Sequence, residues 1–290
     1  MPEVTARGVR FHVQTCGPGR SESPGPGRSE GRGGSSPDEG PAGPVVVFVH
    51  GLAIDNLSSF YYTLAWPVAE AGARCVLYDL RGHGRTERPP TGYSVPDAVA
   101  DLFAVLDALG HHRVHLVANS FGGAVALNAA LAHPGRVAGL ALIEAYGPGD
   151  GPDWNRDFLN RLAQSALKLE YEWTADLLDP GERRRSRAAA TADALLNGTT
   201  LLDDLTSTDP VRPAALASVA CPVLAIYGQH SDMAEAGRLL RRHVPDCEPH
   251  TLTGYAHILL PDGTAEILEV LLPWLAHHAG TRAPAAGAAR

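Results

Sequence analysis

Val114-His115-Leu116-Val117-Ala118-Asn119-Ser120-Phe121-Gly122-Gly123 decides the reading of this chain. Val114 to Val117 has the length and composition of a buried strand. Phe121 to Ala132 is rich in small residues and reads as a helix. Ser120 stands at the joint, in the pattern A-x-S-x-G. A strand that turns directly into a helix lifts the residue at the joint clear of both elements and presents its side chain. Small residues must flank it, because the turn is tight and the helix packs close to the strand. Ala118 meets that packing demand with less backbone freedom than glycine. Taken alone, the stretch fits equally well a serine that caps a helix.

Outward from this joint the pattern is regular. Val45 to Val49 is a continuous apolar run, as in a strand covered on both faces, and His50-Gly51-Leu52-Ala53 follows it. Ser58 to Glu70 is helical in pattern, bent or broken near Pro67. The strand Cys75 to Tyr78 leads into Asp79-Leu80-Arg81-Gly82-His83-Gly84. Ser94 caps a helix with Pro96 in its first turn, running to Leu109. Strands follow at Val137 to Ile143 and Val223 to Tyr227, then a helix from Ala234 to His243. A short strand, Pro249 to Leu252, precedes Gly254-Tyr255-Ala256-His257, and a helix from Ala265 to His277 closes the series. Alternating strands and helices predict an α/β fold, with a mostly parallel sheet and helices on both faces.

Three segments depart from the alternation. Residues 1–17 hold Val9 to Thr15, an edge strand or half of a hairpin. Residues 18–44 are so dense in Gly, Pro, Ser and charge that they form a loop without a core of their own. Residues 147–214 contain helical patterns but no strand, with helices over Asn155 to Leu178 and Gly181 to Leu196. That fits an inserted helical lid, with Trp154, Tyr171 and Trp173 on its inner face or in its own core. The α/β core is then 45–146 with 215–278, and 279–290 is a tail.

Composition narrows the function classes. The net charge is -8, which argues against a nucleic-acid partner, since phosphate binding needs a basic face. No apolar run has signal-peptide or bilayer length, so a cytoplasmic protein without a membrane partner is expected. Cys16, Cys75, Cys221 and Cys247 are far apart, without paired metal-ligand spacing. Cys75 and Cys221 border apolar runs and read as small core residues. There is no dinucleotide fingerprint, phosphate loop or metal cluster, so no cofactor is expected.

The His-Gly loop after the first long strand, the serine joint and the late histidine, in this order, resemble the serine-nucleophile branch of the α/β-hydrolase fold superfamily. The resemblance runs from Val45 to about Leu275. It implies Ser120 as nucleophile, His257 as general base, and the backbone N–H groups of Leu52 and Phe121 as the oxyanion hole. It makes His50 and His83 architectural, and His230 a weak alternative only. The usual family position for the acid lies three residues after Gly228 and is occupied here by Ser231; Asp232 is one residue later. One branch, including some haloalkane dehalogenases, resembles this chain in placing a carboxylate at the end of the strand after the elbow helix, where Glu144 stands. Glu144 is therefore the expected acid and Asp232 the alternative; a hinge carboxylate without a catalytic role is the other reading of Glu144.

Serine matters, because the resembling dehalogenases and epoxide hydrolases carry aspartate at that position. The implied chemistry is cleavage of an ester or thioester through an acyl-enzyme. The chain looks most like accessory hydrolases and discrete thioesterases of actinobacterial polyketide pathways, which implies an acyl substrate on a carrier protein. A small-molecule esterase, lactonase or carbon–carbon hydrolase is the alternative. A non-catalytic ligand-binding protein on the same fold is a third reading. Phe60, Tyr61, Tyr62 and Phe121 shape the acyl pocket or pack in the core.

Overall fold

In the computed structural model, which describes residues 3–18, 43–52, 55–149, 190–191 and 193–281, β3 (Val45–Val49) is buried along its whole length. Its alternation divides the core in two. Val45, Val47 and Val49 face one apolar cluster, and Val46 and Phe48 face the other. This is what a strand covered on both faces requires, and it explains why the run carries no polar residue.

The chain enters through a hairpin of β1 (Glu3–Ala6) and β2 (Val9–Cys16), after which β3 lies in the middle of the sheet. Then come α1 (Ser58–Tyr61), α2 (Ala65–Glu70), β4 (Arg74–Tyr78), α3 (Val95–Ala108), β5 (Val114–Asn119), α4 (Phe121–Ala132) and β6 (Val137–Ile143). Within the segment expected to form a lid lies α5 (Leu201–Thr206), and α6 (Pro213–Leu216) straddles its end; then come β7 (Val223–Gly228), α7 (Ala234–His243), β8 (Cys247–Leu252), α8 (Leu259–Asp262) and α9 (Thr264–Ala279). The eight strands are ordered β1-β2-β4-β3-β5-β6-β7-β8. Pairs β1–β2 and β2–β4 are antiparallel and the rest parallel. Val9 to Thr15 is therefore half of a hairpin, and β1 is the edge.

Helices α3, α4 and α7 bury their apolar residues in one cluster, and α1, α2 and α9 in the other. The Ser94 hydroxyl accepts from the Asp97 N–H and fixes the start of α3. The helix expected from Ser58 to Glu70 is two helices. The break falls at residues 62–64, before Pro67, because Pro67 sits in the first turn of α2, where its missing N–H costs nothing. Phe60 packs on Phe48 at 5.1 Å between ring centroids, and Phe121 is buried, so both belong to the core. Tyr62 is exposed, and the half-buried Tyr61 packs edge-on against Tyr62 and Trp66.

The Gly/Pro/Ser loop expected over 18–44 lies outside the described residues except at its ends, and so do the tail beyond 281 and most of the expected lid. The two flanks of the lid segment meet, since the Gly149 N–H donates to the Val211 carbonyl at 3.2 Å. Its C-terminal end is tied to the core by Thr200 N–H to Pro90 O at 2.9 Å and Tyr93 N–H to Asp204 Oδ2 at 2.9 Å. Among the described residues, no helix is long and apolar enough to cross a membrane.

Candidate active site

Parallel strands deliver their C-terminal ends to one edge of the sheet, and the loops that follow gather there. Ser120 follows β5, Glu144 follows β6, Ser231 and Asp232 follow β7, and His257 follows β8. Residues more than a hundred positions apart thus meet because four neighbouring strands end together.

Ser120 adopts φ 51° and ψ -118°, and Glu144 has φ 48°. Positive φ is costly for residues with a Cβ, on the order of 1–3 kcal/mol each, and persists only where the surroundings enforce it. Here each turn enforces the other. The Ser120 N–H donates to the Ile143 carbonyl at 3.1 Å, and the Tyr146 N–H donates to the Ser120 carbonyl at 2.8 Å. The Glu144 N–H is held by the Ile226 carbonyl at 2.9 Å. Two glycines let α4 close on this arrangement. A Cβ on Gly122 would run into the carbonyls of Val49 and His50, and one on Gly123 into Ala145.

Ser120 precedes α4 but makes no side-chain cap, so the helix-cap reading does not apply. Its Oγ lies 3.5 Å from His257 Nε2, the long distance common in ligand-free sites. On the other side of the ring, Nδ1 is 3.0 Å from Glu144 Oε2. Asp232 Oδ1 stands 3.9 Å from the same nitrogen, and its side chain is 49% exposed. Glu144 is wholly buried, and of the two carboxylates beside the ring it is Glu144 that lies within hydrogen-bond distance of Nδ1.

The buried carboxylate is satisfied by further donors. Oε1 accepts the Gly228 N–H at 2.5 Å, and Oε2 accepts the Ser231 hydroxyl. Tyr227 is buried beside it and donates to the Ala145 carbonyl at 3.1 Å; burial, and then the Glu144 charge, push its phenol up. The loops after β7 and β8 are knitted by His230 N–H to Tyr255 O at 2.8 Å and Gln229 N–H to Leu252 O at 2.9 Å. His230 itself is exposed.

The His50–Leu52 loop lies against Ser120: a methyl built on Gly51 would stand 3.4 Å from Ser120 Cβ. Asp55 pins this loop by accepting the Gly51 N–H at 2.6 Å and the Asn56 N–H at 2.9 Å. Phe121 opens α4, where first-turn N–H groups have no partner within the helix. His50 accepts the Leu80 N–H on Nε2 at 2.9 Å, and its Nδ1–H meets the Gly51 carbonyl at 2.7 Å. It joins the loops after β3 and β4, as an architectural residue does. His83 is buried against it, and burial, then the neighbouring His50, bring its imidazole down to about 3. Asp79 accepts from His12 and from the Leu57 and Arg85 N–H groups, each at 2.8 Å. The Asp79–Gly84 turn therefore holds loops together.

Two contributors escape sequence reading. Ser231 registers there only as the place where a carboxylate is missing. Asp55 lies in a polar turn with no pattern to mark it.

A model of the alpha/beta hydrolase fold family matches residues 44–215. The chain is 40% identical over 107 residues to 2-hydroxy-6-oxo-2,4-heptadienoate hydrolase of Pseudomonas putida, a match covering 37% of this chain and 39% of that protein. It is 26% identical over 259 residues to a haloalkane dehalogenase of Mycobacterium marinum, covering 82% and 86% of the two chains. The curated relatives matched at 35–40% identity are spanned over only 35–40% of their own length. Among solved structures, an N-acyl homoserine lactone degrading enzyme, Est816, superposes with a TM-score of 0.64 at 24% identity, covering 93% of this chain and 98% of that one. The sheet order, the turn at Ser120 and the match over residues 44–215 of 290 agree, and the chain belongs to the alpha/beta hydrolase fold family.

Proposed function

We propose that this protein is a serine hydrolase that cleaves an ester or thioester through an acyl-enzyme on Ser120. The observation that carries the reading is the continuous chain from Ser120 Oγ to His257 Nε2 at 3.5 Å and from Nδ1 to Glu144 at 3.0 Å. A serine hydroxyl is a poor nucleophile until a base takes its proton during attack. In this reading His257 Nε2 takes that proton as Oγ attacks the carbonyl carbon. The N–H groups of Leu52 and Phe121 receive the developing oxyanion, each donor worth about 3–4 kcal/mol. His257 then gives its proton to the leaving oxygen or sulfur. Water repeats the sequence on the acyl-serine and frees the acid and Ser120. Glu144 holds the imidazole in the tautomer with Nδ1–H and stabilises the imidazolium.

Serine also selects among the chemistries of the relatives. Displacing a halide would leave an alkyl ether on Ser120, with no carbonyl for water to attack, so the site would be spent after one event. An acyl-serine is turned over. Ester, thioester, lactone and activated carbon–carbon bonds all pass through that intermediate.

For the substrate, we infer hydrolytic release of a polyketide-type acyl chain from a carrier protein. The support is the resemblance of the Leu52–Tyr62 stretch, the Arg81–Gly84 turn and the position of Glu144 to discrete thioesterases. The second reading, a small-molecule lactonase or esterase, is favoured by the likeness to the lactone-degrading enzyme. A fluorophosphonate probe should label Ser120 and fail to label Ser120→Ala. The original chain, offered N-acetylcysteamine thioesters, aryl esters and lactones and quenched in acid during turnover, should carry an acyl adduct on Ser120, read by mass spectrometry, and His257→Ala should carry none. A longer-lived adduct from thioesters supports release from a carrier, and adducts from lactones alone support the second reading. Ligand binding without any labelling would sink hydrolysis and leave a binding protein.

A further inference from the structure

A carboxylate buried away from water stays ionised only if donors satisfy its oxygens. Glu144 has 0% exposure. Oε1 is met by the Gly228 N–H, while Oε2 accepts from two side chains, His257 Nδ1–H and the Ser231 hydroxyl. Ser231 is itself 8% exposed and has a fixed orientation. Its Oγ accepts the Met233 N–H at 2.9 Å, which occupies a lone pair and leaves the hydroxyl proton facing Glu144. The Ser231 N–H, bonded to the Gly228 carbonyl at 3.1 Å, keeps both Glu144 donors of this loop on one turn.

We propose that Ser231 is a positioning residue: its hydroxyl fixes the Glu144 carboxylate so that Oε2 faces His257, and shares that oxygen's charge between two donors. The inference rests on the reading of Glu144 as the triad acid. A carboxylate at position 231 would set a second negative charge against a buried one, in a place with little water to separate them. A hydroxyl supplies a donor with no charge. The loop after β7 thus serves the acid on β6 and does not carry one of its own.

Without the Ser231 hydroxyl, Oε2 retains His257 alone, and the Gly228 N–H on Oε1 is the one donor of the β7 loop left to orient the carboxylate. The imidazole is then held less firmly, which slows the chemical step but leaves substrate binding intact. The maximal rate of fluorophosphonate labelling of Ser120 should fall about tenfold to a hundredfold in Ser231→Ala, the range for losing one hydrogen bond to a charged group. The half-saturating probe concentration should stay within about twofold of the original. Ser231→Thr keeps the hydroxyl and should recover most of the rate. The His257 Nδ1–H proton resonance should move upfield in Ser231→Ala, because a carboxylate held less firmly makes a longer hydrogen bond to the ring.

A double-mutant cycle decides the route of action. In a Glu144→Gln background, Ser231→Ala should cost less than about twofold more, since the group it acts through is gone. Labelling of Ser231→Ala at the original rate would overturn the proposal, as would an equal loss in both backgrounds. A loss that Ser231→Thr does not restore and that tracks a lowered Tm would overturn it as well. If Glu144→Gln labels at full rate, the triad reading falls first. If Glu144→Gln is inactive and Ser231→Ala is unaffected, this inference alone falls.

Discussion

A carboxylate orients an imidazole only from hydrogen-bond distance, and at the residue scale this separates two acids adjacent to one ring. Glu144 reaches His257 Nδ1 at 3.0 Å from a fully buried position, while Asp232 stands at 3.9 Å with half of its side chain in solvent. Water screens the exposed charge and leaves the buried one at full strength. Glu144→Gln should therefore slow acylation of Ser120 by about 10³–10⁴-fold, the scale of losing the correct imidazole tautomer. Asp232→Asn should cost less than about threefold. Single-turnover acylation in the two variants checks this, and the reverse order would transfer the acid role to Asp232. The positions of Ser120 and Glu144 stood out in the sequence because each follows a strand that its apolar run betrays, whereas His257 follows the polar strand β8 and was picked out only by the family resemblance, which also implied all three roles. Ser231 did not stand out, because a loop hydroxyl has no pattern until its partner is known. Its partner is 87 residues away.

At the scale of elements, the site depends on how closely loops and helix ends approach. Gly122 packs α4 against the end of β3, where an added methyl would meet backbone carbonyls that cannot step aside. Gly122→Ala should destabilise the fold by about 1–3 kcal/mol, the usual cost of overpacking, read as a lower urea midpoint. An unchanged midpoint would mean that the β3–α4 contact is looser than described. The loop between β3 and α1 makes a different demand, because Asp55 holds the N–H of Gly51, the residue that lies against Ser120. Asp55→Ala should slow labelling of Ser120 about tenfold, the scale of one charge-assisted hydrogen bond, with Tm nearly unchanged. Unaltered labelling would remove Asp55 from the site. Strands β3 to β7 were readable from apolar runs, whereas the break between α1 and α2, expected near Pro67, falls at residues 62–64. The proline at 67 drew the eye to itself, although a proline in a first turn interrupts nothing.

For the whole molecule, sheet and helices enclose histidines that the unfolded chain would expose. Burial holds His83 down to about 3, with His50 adding repulsion, and burial likewise brings His115 down to about 4. Both groups are neutral in either state above their ordinary value of about 6.5, so they leave stability at neutral pH untouched. Below it the unfolded chain binds protons that the folded chain refuses. Acidification therefore favours unfolding, and the contribution is lost as pH falls from about 6.5 towards the two folded values. Each histidine in mid-window contributes a slope of at most about 1.4 kcal/mol per pH unit. Carboxylates add their own acid dependence, so the informative quantity is a difference between proteins. Urea unfolding of the original chain and of His83→Gln, followed from pH 8 to 4.5, should give parallel stabilities down to about pH 6.5 and diverging ones below. The variant should lose stability less steeply, by about the share of one proton. Curves that stay parallel to pH 4.5 would show that His83 takes up its proton without unfolding, and that the His50–His83 contact tolerates a charge.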